Sequence, residues 1–467
     1  MNARVAAAEL LIAVLDRGRA LEDALVETQS FRALEGRDRA FARALVTAAL
    51  RRLGGVNAVI SRFLERPLPE SAQHARALLH IGATQLLVLG TPPHAAVGET
   101  VEAANALRQA RGFAKLINAV LRRVAREGAA ILESLPPGAD LPSWLYTRWR
   151  AAYGEEAPRM AQALLQEPPL DLTVKHDAAE WARKLDGVLT PTGSVRLLPF
   201  SLAEKGSGDE RRKHARNDGG LSAAEPATTR QLNAPHPPAP SPQGRGGVEH
   251  LPGFSEGAWW VQDAAAALPA RALGDVRGKR VLDLCAAPGG KTLQLAAAGA
   301  HVTAVDKSES RLKRLRENLA RTQLAAEVVC ADALEFRAAE QFDAVLLDAP
   351  CTSTGTLRRH PDVAWLRRPS DIRALAELQG QLLQAAAAQL KPGAPLVYAV
   401  CSLEPEEGPG IVAQALTQGW RRDPIRQGEI PGADDFLTPD GDLRTLPSRW
   451  PDIGGLDGFY VVRLLRH

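Results

Sequence analysis

Two thiols stand where residue types and spacing could do chemistry. Cys351 lies in LLDAPCTSTGT (346–356), where a short apolar run, Phe342–Leu347, delivers Asp348, a proline and the thiol into a loop of small polar residues. Such a run reads as a buried parallel strand. Open α/β sheets bind their ligands at the carboxyl ends of strands. Cys401 closes a second run, PLVYAVCS (395–402). On neighbouring strands the two loops would share one sheet edge. A thiolate is a nucleophile, so Cys351, with an acid three residues before it, is the first candidate. The other cysteines are Cys285 and Cys330, and no CxxC pair suggests a metal site. Free thiols are expected rather than a disulfide framework.

A second constellation is DLCAAPGGKT (283–292), joining a strand to a helix. Pro288–Gly289–Gly290 makes a tight turn that lets a ligand approach the backbone, and the N–H groups of the following helix point at it. The stretch is neither a P-loop nor a GxGxxG frame for a pyrophosphate. Carboxylates end the next strands: Asp306, Asp332 and Asp348. Asp306 is placed to accept both ribose hydroxyls of a nucleoside, and Asp332 could fix an adenine amino group. Any one of them could equally be a helix cap or a loop acid. Three in succession behind a glycine loop describe an adenosine-type cofactor, and a methyl donor fits better than a dinucleotide. A weak carbon nucleophile such as position 5 of cytosine needs covalent activation before it takes a methyl group: a thiolate adds to carbon 6, carbon 5 is alkylated, and a base removes its proton so that the thiolate leaves. Methylation of an exocyclic amine needs no thiol.

These loops need a sheet to hold them. From residue 251 strands and helices alternate: RVLDL (280–284), HVTAVD (301–306), EVVCAD (327–332), FDAVLLD (342–348), PLVYAVCS and GFYVVRLLR (458–466), with a helix from Lys291 and others over 309–321 and 371–390. Alternation of this kind predicts a parallel, doubly wound sheet. EGAWWVQDAAAALPARAL reads as an entry loop and a helix. Residues 1–130 read as all helix, six or seven of them, with pauses at Gly18, Gly36, Gly54–Gly55, Pro67–Pro69 and Thr91–Pro93. Residues 131–200 read as a helical connector anchored by Trp144, Tyr146 and Trp149, then a small α/β subdomain with strands LDLTVKH and SVRLLPF. Residues 201–250, rich in Gly, Ser, Asn and Pro, read as a disordered insertion.

Hydrophobic content of 45% with 24% charged residues is that of a soluble globular chain. No apolar run approaches the ~20 residues of a membrane span, so no membrane partner and a cytoplasmic location are expected. Residues 1–130 carry 18 basic against 12 acidic residues, and residues 251–467 carry 25 against 27. A basic N-terminal part fits a nucleic-acid partner, although a solvated helix face explains the excess equally well. Arg37, Arg39, Arg43, Arg51 and Arg52 are the candidate phosphate contacts there. Arg358, Arg359, His360, Arg367 and Arg368 are the candidates near the Cys351 loop.

Two resemblances extend this reading. RDRAFARALVTAALR (37–51), FLERPLP (63–69), LLHIGATQLLVLGTPPHAAVGETVEAA (78–104) and LINAVLRRV (116–124) resemble the NusB-type RNA-binding helical domain. DLCAAPGGKT, VDKSESRLKRLREN, DAPCTSTGTLRRHPDVAWLR, YAVCSLEPEEG and LDGFYVVRL are similar to successive motifs of the RNA cytosine-5 methyltransferases of the RsmB/NOP/NSUN family. The resemblance implies an all-α NusB-like domain followed by a Rossmann-like methyltransferase domain acting on 16S ribosomal RNA, expected as a monomer. It implies that Cys285, Ala286, Ala287, Pro288, Gly289, Gly290 and Lys291, with Asp306, Asp332 and Asp348, bind S-adenosyl-L-methionine. It makes Cys401 the nucleophile and Cys351 the group that helps release product, with Asp348 in an acid/base or base-orienting role. The family usually has Thr where Val400 stands, and a Ser near Ala265. The alternatives are the same chemistry on transfer RNA, or a non-catalytic RNA-binding assembly factor.

Overall fold

The computed structural model describes residues 2–199 and 247–466. The chain divides into two compact units, one containing Met1–Pro136 and the other Pro137–Leu197 with Gly246–His467. The expected insertion, 201–250, falls almost wholly outside the described residues.

The first unit is helical. Its described residues form eight α-helices: Ala3–Leu15, Leu21–Glu27, Gln29–Arg32, Gly36–Arg51, Leu53–Ser61, Gln73–Leu87, Pro93–Ala106 and Ala114–Glu133. Gln73–Leu87 runs through the middle, with Ala75, Ala77–Gln85 buried. Gly82 is required there, because a Cβ would lie 2.5 Å from Leu121 Cδ1. The expected pause at Gly54–Gly55 falls two residues earlier, at Arg52, which ends Gly36–Arg51 and precedes Leu53–Ser61. Both glycines lie inside Leu53–Ser61, where Gly55, Val56, Val59 and Ile60 are buried, and burial of that face outweighs the ~1 kcal/mol penalty of a helical glycine. The expected boundary at 130 falls inside the last helix, whose apolar face (Ile117, Val120, Leu121, Val124) is buried up to Gly128.

The second unit begins with helices Ser143–Tyr153 and Glu156–Ala163. Four short strands follow: β1 (Leu170–Val174), β2 (Val188–Leu189), β3 (Val195–Leu197) and β4 (Trp259–Val261), in the order β2-β3-β1-β4 and antiparallel throughout. β4 comes from the stretch read as an entry loop. It is three residues long, too short to show an alternating pattern. Asp171 and Arg196 form a buried ion pair at 2.6 Å, and Arg196 also donates to the carbonyls of Ile453 and Gly455 at 3.0 and 2.7 Å. Asp171 accepts the Ala264 N–H at 3.0 Å. The small sheet is thus fastened to the segment around Ala264 and to the one around Ile453–Gly455.

The main sheet comprises β5 (Arg280–Leu284), β6 (His301–Asp306), β7 (Glu327–Cys330), β8 (Ala344–Asp348), β9 (Pro395–Val400), β10 (Trp420–Arg422), β11 (Leu443–Thr445) and β12 (Phe459–Arg466). Its order is β10-β12-β9-β8-β5-β6-β7, with β11 also paired to β12. β7, β6, β5, β8 and β9 are mutually parallel. β12 is antiparallel to β9, β10 and β11, so the sheet is mixed rather than wholly parallel. Apolar periodicity marks a strand as buried but carries no information about its direction. Helices Gly290–Ala297, Glu309–Thr322, Pro369–Ala387 and Pro409–Leu416 connect the strands. The two faces bury separate cores, one around Leu284, Leu347, Tyr398 and Val400, the other around Val281, Leu346, Val397 and Val461. Each fully buried Leu or Val there contributes ~1.5–3 kcal/mol.

Candidate active site

The carboxyl ends of β5, β6, β8 and β9 converge on one edge. At the end of β5, Cys285 takes a left-handed φ of +60° and Gly289 one of +105°, and a Cβ on Gly289 would meet Leu315 Cγ at 2.8 Å. The turn folds back so that the Ala287 N–H donates to Asp306 Oδ2 at 3.1 Å. Asp306 Oδ1 accepts the Ser308 N–H at 2.9 Å. A carboxylate offers about four lone-pair sites, so Asp306 keeps capacity for two hydroxyl donors. Burial pushes the Cys285 thiol up to about 12, with Asp306 adding to the effect, which disfavours its thiolate. Asp283, within β5, is fully buried; burial raises its carboxyl to about 7 against the pull of the Thr292 hydroxyl, which donates at 2.6 Å.

Asp332 is exposed, and its Oδ1 accepts the Leu334 N–H at 2.9 Å. Asp348 ends β8 and receives Lys291 Nζ at 2.7 Å. Burial alone would lower the ammonium of Lys291, but the charge of Asp348 and its hydrogen bond outweigh this and raise it. Lys291 also lies over the Phe459 ring, 5.3 Å from its centroid.

Cys351 and Cys401 are brought into contact, Sγ to Sγ at 3.5 Å. Cys351 is buried and Cys401 half-buried. Their protonation is unequal. The hydrogen bond from Cys351 lowers Cys401 below the ordinary thiol value, against burial and the nearby charge of Asp348, with Lys291 assisting. The same bond, with burial, raises Cys351 well above it. The two directions make Cys351 the thiol that holds its proton more tightly and Cys401 the one that ionises more readily.

Three features escaped the sequence reading. Helix Ser143–Tyr153 backs the Cys401 loop: Arg148 pairs with Glu404 at 2.6 Å, Trp149 Nε1 donates to Glu404 at 3.3 Å, and Tyr153 OH donates to the Leu403 carbonyl at 2.5 Å. The tryptophan and tyrosine content marked it as a packing element, and nothing in the sequence named what it packs on. Second, Glu407 is fully buried between the two thiol loops. Third, Arg358 and Arg359 do not form an exposed basic cluster. Arg358 is 1% exposed and lies 3.7 Å from Asp263 and 3.6 Å from Asp457, and Arg359 pairs with the same two acids. These arginines neutralise buried carboxylates. Arg367 donates to the Thr352 and Cys351 carbonyls at 3.2 and 3.4 Å, which shapes the Cys351 loop. His360 and Arg368 are exposed. In the first unit Arg39 lies over Phe31, and Arg43 is 3.4 Å from Glu22.

Among the described residues no cluster of His, Cys, Asp and Glu suits a metal ion, and no helix is long and apolar enough to cross a membrane. A family model described as 16S rRNA methyltransferase RsmB/F matches residues 270–465, and the NusB family model matches residues 1–126. Ribosomal RNA small subunit methyltransferase B of Vibrio vulnificus (strain YJ016) is 39% identical over 456 residues, which cover 93% of this chain and 97% of that protein. Its Vibrio cholerae counterpart is 37% identical over 417 residues, 87% of each. Among solved structures, PH0851 is similar with a TM-score of 0.70 at 20% identity, over 100% of this chain and 99% of its own. NSun6 from Pyrococcus horikoshii, solved with SFG, is similar with a TM-score of 0.52 at 21% identity, over 70% of this chain and 98% of its own. Likeness at that identity speaks to the fold, and the relatives and family models to descent: the chain belongs to the 16S rRNA methyltransferase RsmB/F family, with a NusB-family domain ahead of its methyltransferase domain.

Proposed function

We propose that this chain methylates carbon 5 of a cytosine in 16S ribosomal RNA through a covalent adduct between Cys401 and the base. The observation that carries the reading is the 3.5 Å contact between a thiol held protonated and one held below its ordinary value. Methylation at nitrogen or oxygen would need neither.

S-adenosyl-L-methionine supplies the methyl group. The residues assigned to hold it are the Cys285–Lys291 turn, Asp306 for the ribose hydroxyls, Asp332 for the adenine amino group, and Asp348. The free acceptor capacity of Asp306 and the left-handed turn at Gly289, which leaves the backbone bare, fit such a ligand.

The Cys401 thiolate adds to carbon 6 of the ring, and the electron pair displaced from the 5,6 double bond makes carbon 5 nucleophilic. After alkylation a base takes the proton from carbon 5, the double bond re-forms, and the Cys401 thiolate leaves. Asp348, steadied by Lys291, is assigned to proton handling at the ring. Cys351 is assigned to the release step. A base inside a folded RNA must leave its stack to reach a half-buried thiol, so the target is a cytosine that can be splayed out.

The test is methylation of 16S ribosomal RNA and transfer RNA transcripts with labelled S-adenosyl-L-methionine, read by bisulfite sequencing. One bisulfite-resistant cytosine in the 16S transcript is expected. Label on transfer RNA alone, or on an exocyclic nitrogen, would overturn the reading.

A further inference from the structure

Glu407 has no part in the steps above, yet it is fully buried within the site. A buried carboxylate is tolerated only where donors surround it. One oxygen of Glu407 accepts the Thr352 N–H at 2.9 Å and Gln379 Nε2 at 3.0 Å. The other accepts the hydroxyls of Thr352 and Ser402, which are themselves 3.1 Å apart. Thr352 follows Cys351 in the chain and Ser402 follows Cys401. One carboxylate therefore holds the residue after each thiol. Glu407 is fixed in turn from below, because Tyr398 OH donates to its carbonyl at 2.6 Å and lies 3.1 Å from Gln379 Oε1. Two further bonds join the loops: Gly355 N–H to the Cys401 carbonyl, and Leu403 N–H to the Thr354 hydroxyl, each at 3.0 Å.

Loops leaving adjacent strands start about 4.8 Å apart, whereas the two sulfurs lie 3.5 Å apart. We infer that Glu407 is a positioning residue that clamps the two loops and sets the contact between Cys351 and Cys401. The inference rests on the two-thiol reading of the reaction but is testable without it. Diamide oxidises two adjacent thiols to a disulfide: the sulfurs lose two electrons and two protons, and the N=N bond of diamide takes them up to become a hydrazine. The rate reports sulfur spacing with no RNA present.

Full-length wild type, Glu407→Gln and Glu407→Ala are treated with diamide, and the Cys351–Cys401 disulfide is quantified by peptide mass mapping. Glu407→Ala should slow disulfide formation and kcat together by about 100-fold, the scale of an ångström of misplacement, with the KM for S-adenosyl-L-methionine unchanged. Glu407→Gln should restore both to within about tenfold, since its amide oxygen keeps two of the bonds and its NH2 can donate to the two hydroxyls. Glu407→Ala protein that binds cofactor normally and oxidises at the wild-type rate would overturn the inference. Were that variant to misfold, Ser402→Ala decides: slowed disulfide formation supports the clamp, and an unchanged rate overturns it. Slowed oxidation in an enzyme that makes no 5-methylcytosine would leave the clamp standing and remove the cytosine reading instead.

Discussion

Cys351 Sγ and Cys401 Sγ are 3.5 Å apart, although fifty positions separate the residues in the chain. The register explains the meeting. Asp348 pairs with Ala399 across β8 and β9, so the thiols follow that pair by three and two residues and turn over the same edge. The contact makes two chemically identical groups unequal, because the hydrogen bond they share lowers Cys401 and raises Cys351.

The first prediction concerns that proton. Cys351 is the largest cause of the lowered value at Cys401. In Cys351→Ala burial and the charge of Asp348 act without that bond against them, so Cys401 ionises only at higher pH. Iodoacetamide labelling of Cys401, followed across pH 6 to 10, should show its midpoint move upward in the variant. A midpoint that stays in place, or moves down, contradicts the assigned direction of the hydrogen bond.

Asp306 is predicted to matter for cofactor and little else. Asp306→Ala removes the acceptor for two hydroxyls and frees the Ala287 N–H. Two hydrogen bonds to a charged group are worth roughly 1.5–3 kcal/mol each in such sites. Titration calorimetry should show S-adenosyl-L-methionine affinity falling by at least about 100-fold, with RNA affinity unchanged. Wild-type cofactor affinity in the variant would remove Asp306 from the site.

Asp283 should make stability depend on pH. Its folded value, about 7 because of burial, lies above the unfolded value near 3.9. The native state therefore binds more protons than the unfolded one between roughly pH 4 and 7, and stability falls as pH rises through that window. Asp283→Asn carries no such slope. Between pH 5 and pH 8 its unfolding free energy should gain on wild type by about 3 kcal/mol, read from urea titrations. Parallel pH profiles would contradict the raised carboxyl.

Arg358 is predicted to be a stability residue rather than an RNA contact. It is 1% exposed and lies between Asp263 and Asp457. Arg358→Met leaves two buried acids chiefly to Arg359, and breaking a buried pair costs about 3–5 kcal/mol. The salt dependence of RNA binding by the folded fraction should not change, whereas loss of a phosphate contact would flatten it. A flattened slope at unchanged stability would return Arg358 to the RNA interface.

Much of the sheet and its edge was legible because the signals were local. Each strand from β5 to β9 is an apolar run ending in an acid or thiol, and period alone finds such runs. The antiparallel direction of β12 was not legible, because its register against β9 is fixed by contacts from Tyr460 to Leu465 with partners sixty to seventy residues earlier. Arg358 and Arg359 looked like a basic patch for the same reason: their partners, Asp263 and Asp457, lie about a hundred residues away on either side. Glu407 was hidden in EPEEG, where three acids look alike and only burial separates it from Glu406. The thiols were visible as types, and their contact was not.

In the proposed reaction Cys401 bonds to the base and Cys351 releases it. The most direct measurement is denaturing gel electrophoresis of enzyme and 16S transcript with S-adenosyl-L-methionine, for wild type, Cys351→Ala, Cys401→Ala and the double variant. Cys351→Ala should accumulate a protein–RNA adduct that maps to Cys401, and both variants lacking Cys401 should form none. An adduct in Cys401→Ala, mapping to Cys351, would contradict the account.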